Sequence, residues 1–131
     1  MTQIPSDLKY AHTHEWVREE DDGSITVGLS DPMQAALGDI VFIELPEAGQ
    51  EVKALEEVGV VESVNESIEI SAPISGEIIE VNELLKEKPE LINVDTYHDG
   101  WIFKMMPYDP DEIKDMLDSE GYEEIVEENE L

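Results

Sequence analysis

The groups in this chain that could do chemistry are three histidines and a crowd of carboxylates. His12 and His14 flank Thr13 and adjoin Glu15, while His98 lies far along the chain. In an extended segment an i, i+2 pair faces one side, so His12 and His14 with a third ligand could hold a metal ion. No third ligand is fixed by spacing, and surface or packing histidines are the simpler reading; no metal site is expected. The 34 acidic residues against 7 basic ones make any choice of an acid–base pair arbitrary, and a solvated acidic face accounts for nearly all of them. No Ser-His-Asp spacing, glycine-rich phosphate loop or zinc motif is present. With no cysteine, disulfides, thiolate nucleophiles and cysteine metal sites are excluded, and redox chemistry would need a borrowed group. A formal net charge of -27 makes nucleic acid and anionic membrane poor partners, and the aromatics are too few for base stacking.

The elements that would position these groups are short. Residues 15–18 and 24–29 alternate around Asp22-Gly23, a strong turn signal, and predict a hairpin. Ser30 through Gly38 carries a capping residue, an early proline and a closing glycine, which predicts a short helix. Extended segments follow at about 39–45, 51–55, 57–64, 67–72 and 76–82, a spacing that suits a small barrel or sandwich. Residues 83–91 read as helical or irregular until Pro89, and 101–105 returns as a strand. Near the end, Asp109-Pro110 offers a cap, and Ile113, Met116 and Leu117 recur at i, i+3 and i+4, predicting a helix that Gly121 ends. Ile125 and Val126 could begin a second turn before a frayed acidic end at Glu127–Glu130. The expectation is one domain over residues 1–131, mainly β with added α, with a core over about 8–106 and a helical acidic tail over about 107–131.

Several blocks point further. Val58-Gly59-Val60-Val61-Glu62-Ser63-Val64, followed by Ser67-Ile68-Glu69-Ile70-Ser71-Ala72-Pro73-Ile74-Ser75-Gly76, resembles the lipoyl-attachment region of the glycine cleavage system H protein family. Tyr10 through Val17, Gly28 through Gly49, Pro89 through Asn93 and Gly100 through Lys104 resemble further blocks of the same family, in the same order. The resemblance implies a lipoyl/biotinyl-type barrel-sandwich hybrid with C-terminal helices. It also implies a carrier rather than an enzyme. Members hold lipoate on a hairpin lysine and shuttle an aminomethyl group between glycine decarboxylase, an aminomethyltransferase and dihydrolipoyl dehydrogenase, after a lipoate ligase has loaded the arm.

Asn65 stands where the family has its lipoyl-lysine. An amide nitrogen has its lone pair delocalised and cannot replace the lysine amine, so no amide-linked lipoate is expected at residue 65. Asn-Glu remains a good turn pair, because asparagine tolerates left-handed backbone angles. Glu66, Ser67 and Ile68 also depart from the family pattern, which favours divergence over a single isolated change. Thr13, Glu15 and Glu69 match the positions that hold the loaded arm's amine in the family, and carboxylates suit a cationic amine. Local pairing of Glu15 and an outward-facing Glu69 on an alternating strand form the competing structural reading.

Three functions are therefore open. The chain is an H-like protein unable to take lipoate at residue 65, or a non-carrier interaction or regulatory module binding the family's partners, or an enzyme or metal protein on the same scaffold. The last has only the histidines and carboxylates in its favour. The sequence opens without a basic segment followed by an apolar core, so a cytoplasmic location is expected, or the mitochondrial matrix after removal of a transit peptide.

Overall fold

Alternation of apolar and polar residues over runs such as 67–71 and 76–81 leaves one face to bury, and two antiparallel sheets supply the burial, with residues 25–29 buried throughout. A computed structural model describes residues 3–129 and 131. Among them, the strands are β1 (Lys9–Tyr10), β2 (Glu15–Glu19), β3 (Ile25–Leu29), β4 (Ile40–Glu44), β5 (Glu51–Val52), β6 (Glu57–Ser63), β7 (Ser67–Ser71), β8 (Gly76–Val81) and β9 (Phe103–Pro107). One sheet has the order β1-β2-β3-β9-β8-β5, and the other the order β4-β6-β7. Val17, Ile25, Val27 and Leu29 of the first sheet meet Ile40, Ile43, Val61 and Ile70 of the second in one apolar core. This is the mainly β barrel-sandwich architecture with added helices.

The hairpin β2–β3 turns where Asp22-Gly23 predicts it. Gly23 sits at φ 90°, and the Asp22 carboxylate accepts from the Ser24 amide at 3.0 Å. Helix α1 (Asp31–Leu37) also follows its local signals: the Ser30 hydroxyl accepts from the Met33 amide at 3.3 Å, Pro32 lies in the first turn, and Gly38 at φ 84° closes the end.

Other elements depart from expectation for local reasons. The extended segment expected over 51–55 stops at Val52, because Lys53–Glu56 forms a turn and Leu55 takes φ 72°. The strand expected at 101–105 lies at Phe103–Pro107, since the Trp101 amide is still held by the His98 carbonyl at 3.2 Å. Beyond a 3-10 turn at Glu83–Lys86, Pro89 precedes helix α2 (Leu91–Asp95) instead of ending helical structure.

The largest correction is at the C-terminus. Ile113 belongs to a 3-10 helix, Pro110–Asp115, and Leu117 is extended, exchanging backbone hydrogen bonds with Tyr10 at 2.8 and 3.0 Å. Gly121 then opens a helix rather than closing one. The Asp118 carboxylate accepts from the Gly121 amide at 2.8 Å and caps α3 (Ser119–Glu128), which absorbs Ile125, Val126, Glu127 and Glu128. The expected frayed end is helical as far as Glu128, and Glu130 lies outside the described residues. Tyr122 on α3 is fully buried and stacks on Tyr10 with centroids 4.7 Å apart, in a second apolar cluster with Trp16, Tyr97 and Val126. No described helix is long and apolar enough to cross a membrane.

Candidate functional site

Where the turn before β2 meets the edge strand β7, a cleft of about 640 Å³ opens. It is lined by Thr13, Met33, Val60, Ile68 and Glu69, among others, and Glu15 lies beneath it. Glu15 is the first residue of β2 and has no exposed surface, yet among the described residues no cation pairs with it. Instead the Thr13 hydroxyl donates to its Oε1, and the Ser71 amide of β7 donates to its Oε2 at 3.3 Å. Burial pushes the Glu15 carboxyl up to about 7, and the Thr13 and Ser71 hydrogen bonds pull it partly back. A carboxyl so placed changes charge near neutral pH, directly below a cleft whose rim carries the exposed carboxylate of Glu69. The same Glu69 raises the exposed Glu57 through hydrogen bonding and like charge.

The wall of the cleft is held by a network that spans the chain. His14 takes a left-handed backbone at φ 78°, and its Nδ1 lies 2.8 Å from the Tyr122 hydroxyl. That hydroxyl is also 2.5 Å from the Ser30 hydroxyl, the cap of α1, while the Ser30 amide donates to the His14 carbonyl at 2.9 Å. Burial lowers His14, favouring the neutral imidazole. His12 and His14 therefore stand in a turn rather than on one face of a strand, and His14 is committed to Tyr122. Among the described residues, no group of three or more histidines and carboxylates is arranged to hold a metal ion.

The tip of the β6–β7 hairpin is a different construction. Its four residues, Ser63–Glu66, are closed by the Ser63 amide donating to the Glu66 carbonyl at 2.8 Å. The Ser63 hydroxyl accepts from the Asn65 and Glu66 amides, each at 3.1 Å. Asn65 does not adopt the left-handed backbone expected of it, since the serine hydroxyl closes the turn without it. The Asn65 Nδ2 donates to the Leu37 carbonyl at 3.2 Å, at the last turn of α1. Asn93 of α2 grips the same helix end, its Nδ2 donating to the Gly38 carbonyl at 2.9 Å and its Oδ1 accepting from the Ile40 amide at 2.8 Å. Gly38 permits this approach: a Cβ there would stand 3.0 Å from Asn65 Nδ2.

Thr13 and Glu69 line one cleft, Glu15 is held behind it by Thr13 and Ser71, and Asn65 is set apart on the hairpin tip. Sequence inspection missed Ser71, Ser30 and Tyr122 as partners of this site. Backbone donation by Ser71 leaves no mark on residue type, and Tyr122 lies 108 residues from His14.

Comparison with known proteins gives one consistent result. The profile of the family described as glycine cleavage H-protein matches residues 8–129. This chain belongs to the glycine cleavage H-protein family. It is 53% identical over 128 residues to the glycine cleavage system H protein of Shewanella frigidimarina, covering 98% of this chain and 99% of that one. The H protein of Shewanella loihica is 52% identical over the same length and coverage. Among solved structures, the H protein of Mycobacterium marinum superposes with a TM-score of 0.82 at 35% identity, covering 98% of this chain and 100% of its own. The family is one of carrier proteins rather than enzymes. Both the cleft and the hairpin of this H-family chain fall inside the matched region.

Proposed function

We propose that this chain is an H-family protein that does not carry lipoate on its β6–β7 hairpin. The observation that carries this is the side chain at the tip: Asn65 offers an amide, already donating to the Leu37 carbonyl, where the resemblance puts an acylatable amine. Lipoate does not fit this tip as an amide-linked group, because the residue that would be acylated has no nucleophilic nitrogen. The remaining lysines, Lys9, Lys53, Lys86, Lys88, Lys104 and Lys114, all lie outside the turn.

Thr13, Glu15 and Glu69 support retention of the cleft that would receive a cationic amine. An ionised Glu15 would attract an ammonium group; a protonated Glu15 would act as a neutral donor. The second reading is a non-carrier module that binds or regulates glycine decarboxylase, the aminomethyltransferase, dihydrolipoyl dehydrogenase or a lipoate ligase. Ordered anchoring of the lysine-free tip favours it, since a tip held by α1 and by the Asp39 carbonyl presents a fixed surface without an arm. A cytoplasmic location, or the mitochondrial matrix, accords with the role of either reading.

Restoring the amine tests the proposal. After coexpression with a lipoate ligase, Asn65→Lys is expected to gain a lipoyl increment that the unaltered chain lacks. Binding of the unaltered chain to purified glycine decarboxylase and to lipoate ligase tests the module reading, which absence of association with both would contradict.

A further inference from the structure

Among the described residues, two that are not glycine take a left-handed backbone: His14, on the wall of the cleft, and Leu55, at φ 72°. Leucine suits that conformation poorly, because its Cβ crowds the following carbonyl and it has no polar group to bond the turn. The position is nevertheless fixed from both sides. The Leu55 amide donates to the Ala72 carbonyl at 2.8 Å, and the Ala54 amide donates to the Ser75 hydroxyl at 3.0 Å. Core burial does not repay the strain, since Leu55 is 67% exposed. A strained residue held this firmly at the surface points to a function for its side chain.

That side chain lines a pocket of about 510 Å³ together with Ala11, Pro73 and Met116, of which Ala11 and Pro73 are buried. Its size lies within the range of small-molecule sites, about 300–1,000 Å³. The pocket adjoins the cleft above Glu15 and shares only His12 and Thr13 with it. Its polar side is acidic. Glu112, half-buried, and Asp115, exposed, line it from the 3-10 helix, and no lysine or arginine does. Lys114, which lies between them in sequence, is bridged to Asp111 at 3.2 Å. The Glu112 Oε2 accepts from the Ser75 amide at 3.4 Å, which ties its carboxylate to the loop that carries Pro73. We propose that this pocket binds a small aliphatic ammonium ion, with its hydrocarbon chain against Leu55, Pro73 and Met116 and its nitrogen against the Glu112 and Asp115 carboxylates. Apolar contact would hold the chain, and charge-assisted hydrogen bonds would select the cation. The site lies outside the hairpin, so its occupancy does not depend on the residue at position 65.

The test is a titration of the full chain with n-hexylammonium chloride, followed by methyl and amide chemical shifts, with sodium hexanoate and hexanol as matched probes. Hexylammonium is expected to give saturating shifts centred on Leu55, Met116 and Ala11, and hexanoate to give none there. Leu55→Gly suits φ 72° and keeps the turn, so it removes the apolar contact without unfolding the chain. It is expected to weaken hexylammonium about 10-fold. Glu112→Gln is expected to weaken hexylammonium about 3-fold and leave hexanol unchanged. Shifts centred instead on Val60 and Ile68 would put the amine in the first cleft and overturn the proposal. Shifts that do not saturate and spread over the acidic surface would also overturn it, as would undiminished binding to Leu55→Gly or equal binding of hexanoate.

Discussion

The cleft wall and the hairpin tip lie within one family framework but are built on opposite terms. At the cleft, Glu15 is fully buried, and its environment depends on Thr13, Ser71, His14, Ser30 and Tyr122, drawn from four separate parts of the chain. At the tip, the Ser63 amide and hydroxyl close the turn locally, and two hydrogen bonds leave it, from the Val64 amide to the Asp39 carbonyl and from the Asn65 side chain to α1. A substitution at the cleft therefore disturbs many partners at once, whereas the tip can change its central residue at small structural cost. On the proposed function, that asymmetry would let a chain keep a receiving cleft while lacking the residue that holds an arm.

The sharpest way to break this contrast is Tyr122→Ala. It removes the stack on Tyr10, empties a fully buried site, and strips hydrogen bonds from His14 and Ser30. A loss of about 3–5 kcal/mol in chemical denaturation is expected, in the range for large aromatic truncations in cores. A loss below about 1 kcal/mol would mean that α3 is an appendage rather than part of the cleft wall.

Glu15 sharpens the contrast through pH. Its carboxyl ordinarily loses its proton near 4.5 and in the folded chain does so near 7, so the folded state binds more protons than the unfolded state between those values. Its contribution to stability is thus fully present below about pH 4.5 and is lost as pH rises through about 7. The span is about 3 kcal/mol. In Glu15→Gln this titration is gone. The stability difference, unaltered chain minus variant, should fall by about that amount across the window, as measured by denaturant unfolding at matched pH values. A flat difference would place Glu15 in contact with water.

The smallest effect belongs to the tip. Asn65→Ala removes one part-buried hydrogen bond to the Leu37 carbonyl and should cost about 0.5–1 kcal/mol, with α1 frayed at its last turn in amide exchange. A cost as large as that of Tyr122→Ala would erase the contrast.

Local signals made much of the fold readable: Asp22-Gly23 for the hairpin, Ser30 and Pro32 for α1, and alternating runs for β6, β7 and β8. Where two signals competed, tertiary contacts decided. The helical spacing of Ile113, Met116 and Leu117 lost to the pairing of Leu117 with Tyr10, and Gly121 passed from a helix end to a helix start because Asp118 was available as a cap. At the site, Thr13, Glu15 and Glu69 stand out in the sequence only because their block resembles the family. Their supporting partners do not, since neither a backbone amide such as that of Ser71 nor a distant Tyr122 announces itself in residue type. A bulge in β4 was equally hidden, because Val41-Phe42 reads as ordinary strand until its register against β6 is known.

The most direct test of the central claim is the intact mass of the chain after coexpression with an active lipoate ligase, with peptide mapping of any increment. The unaltered protein is expected to keep its unmodified mass, while Asn65→Lys gains a lipoyl group at residue 65. A lipoyl increment on the unaltered chain, mapped to any of its lysines, would contradict the account.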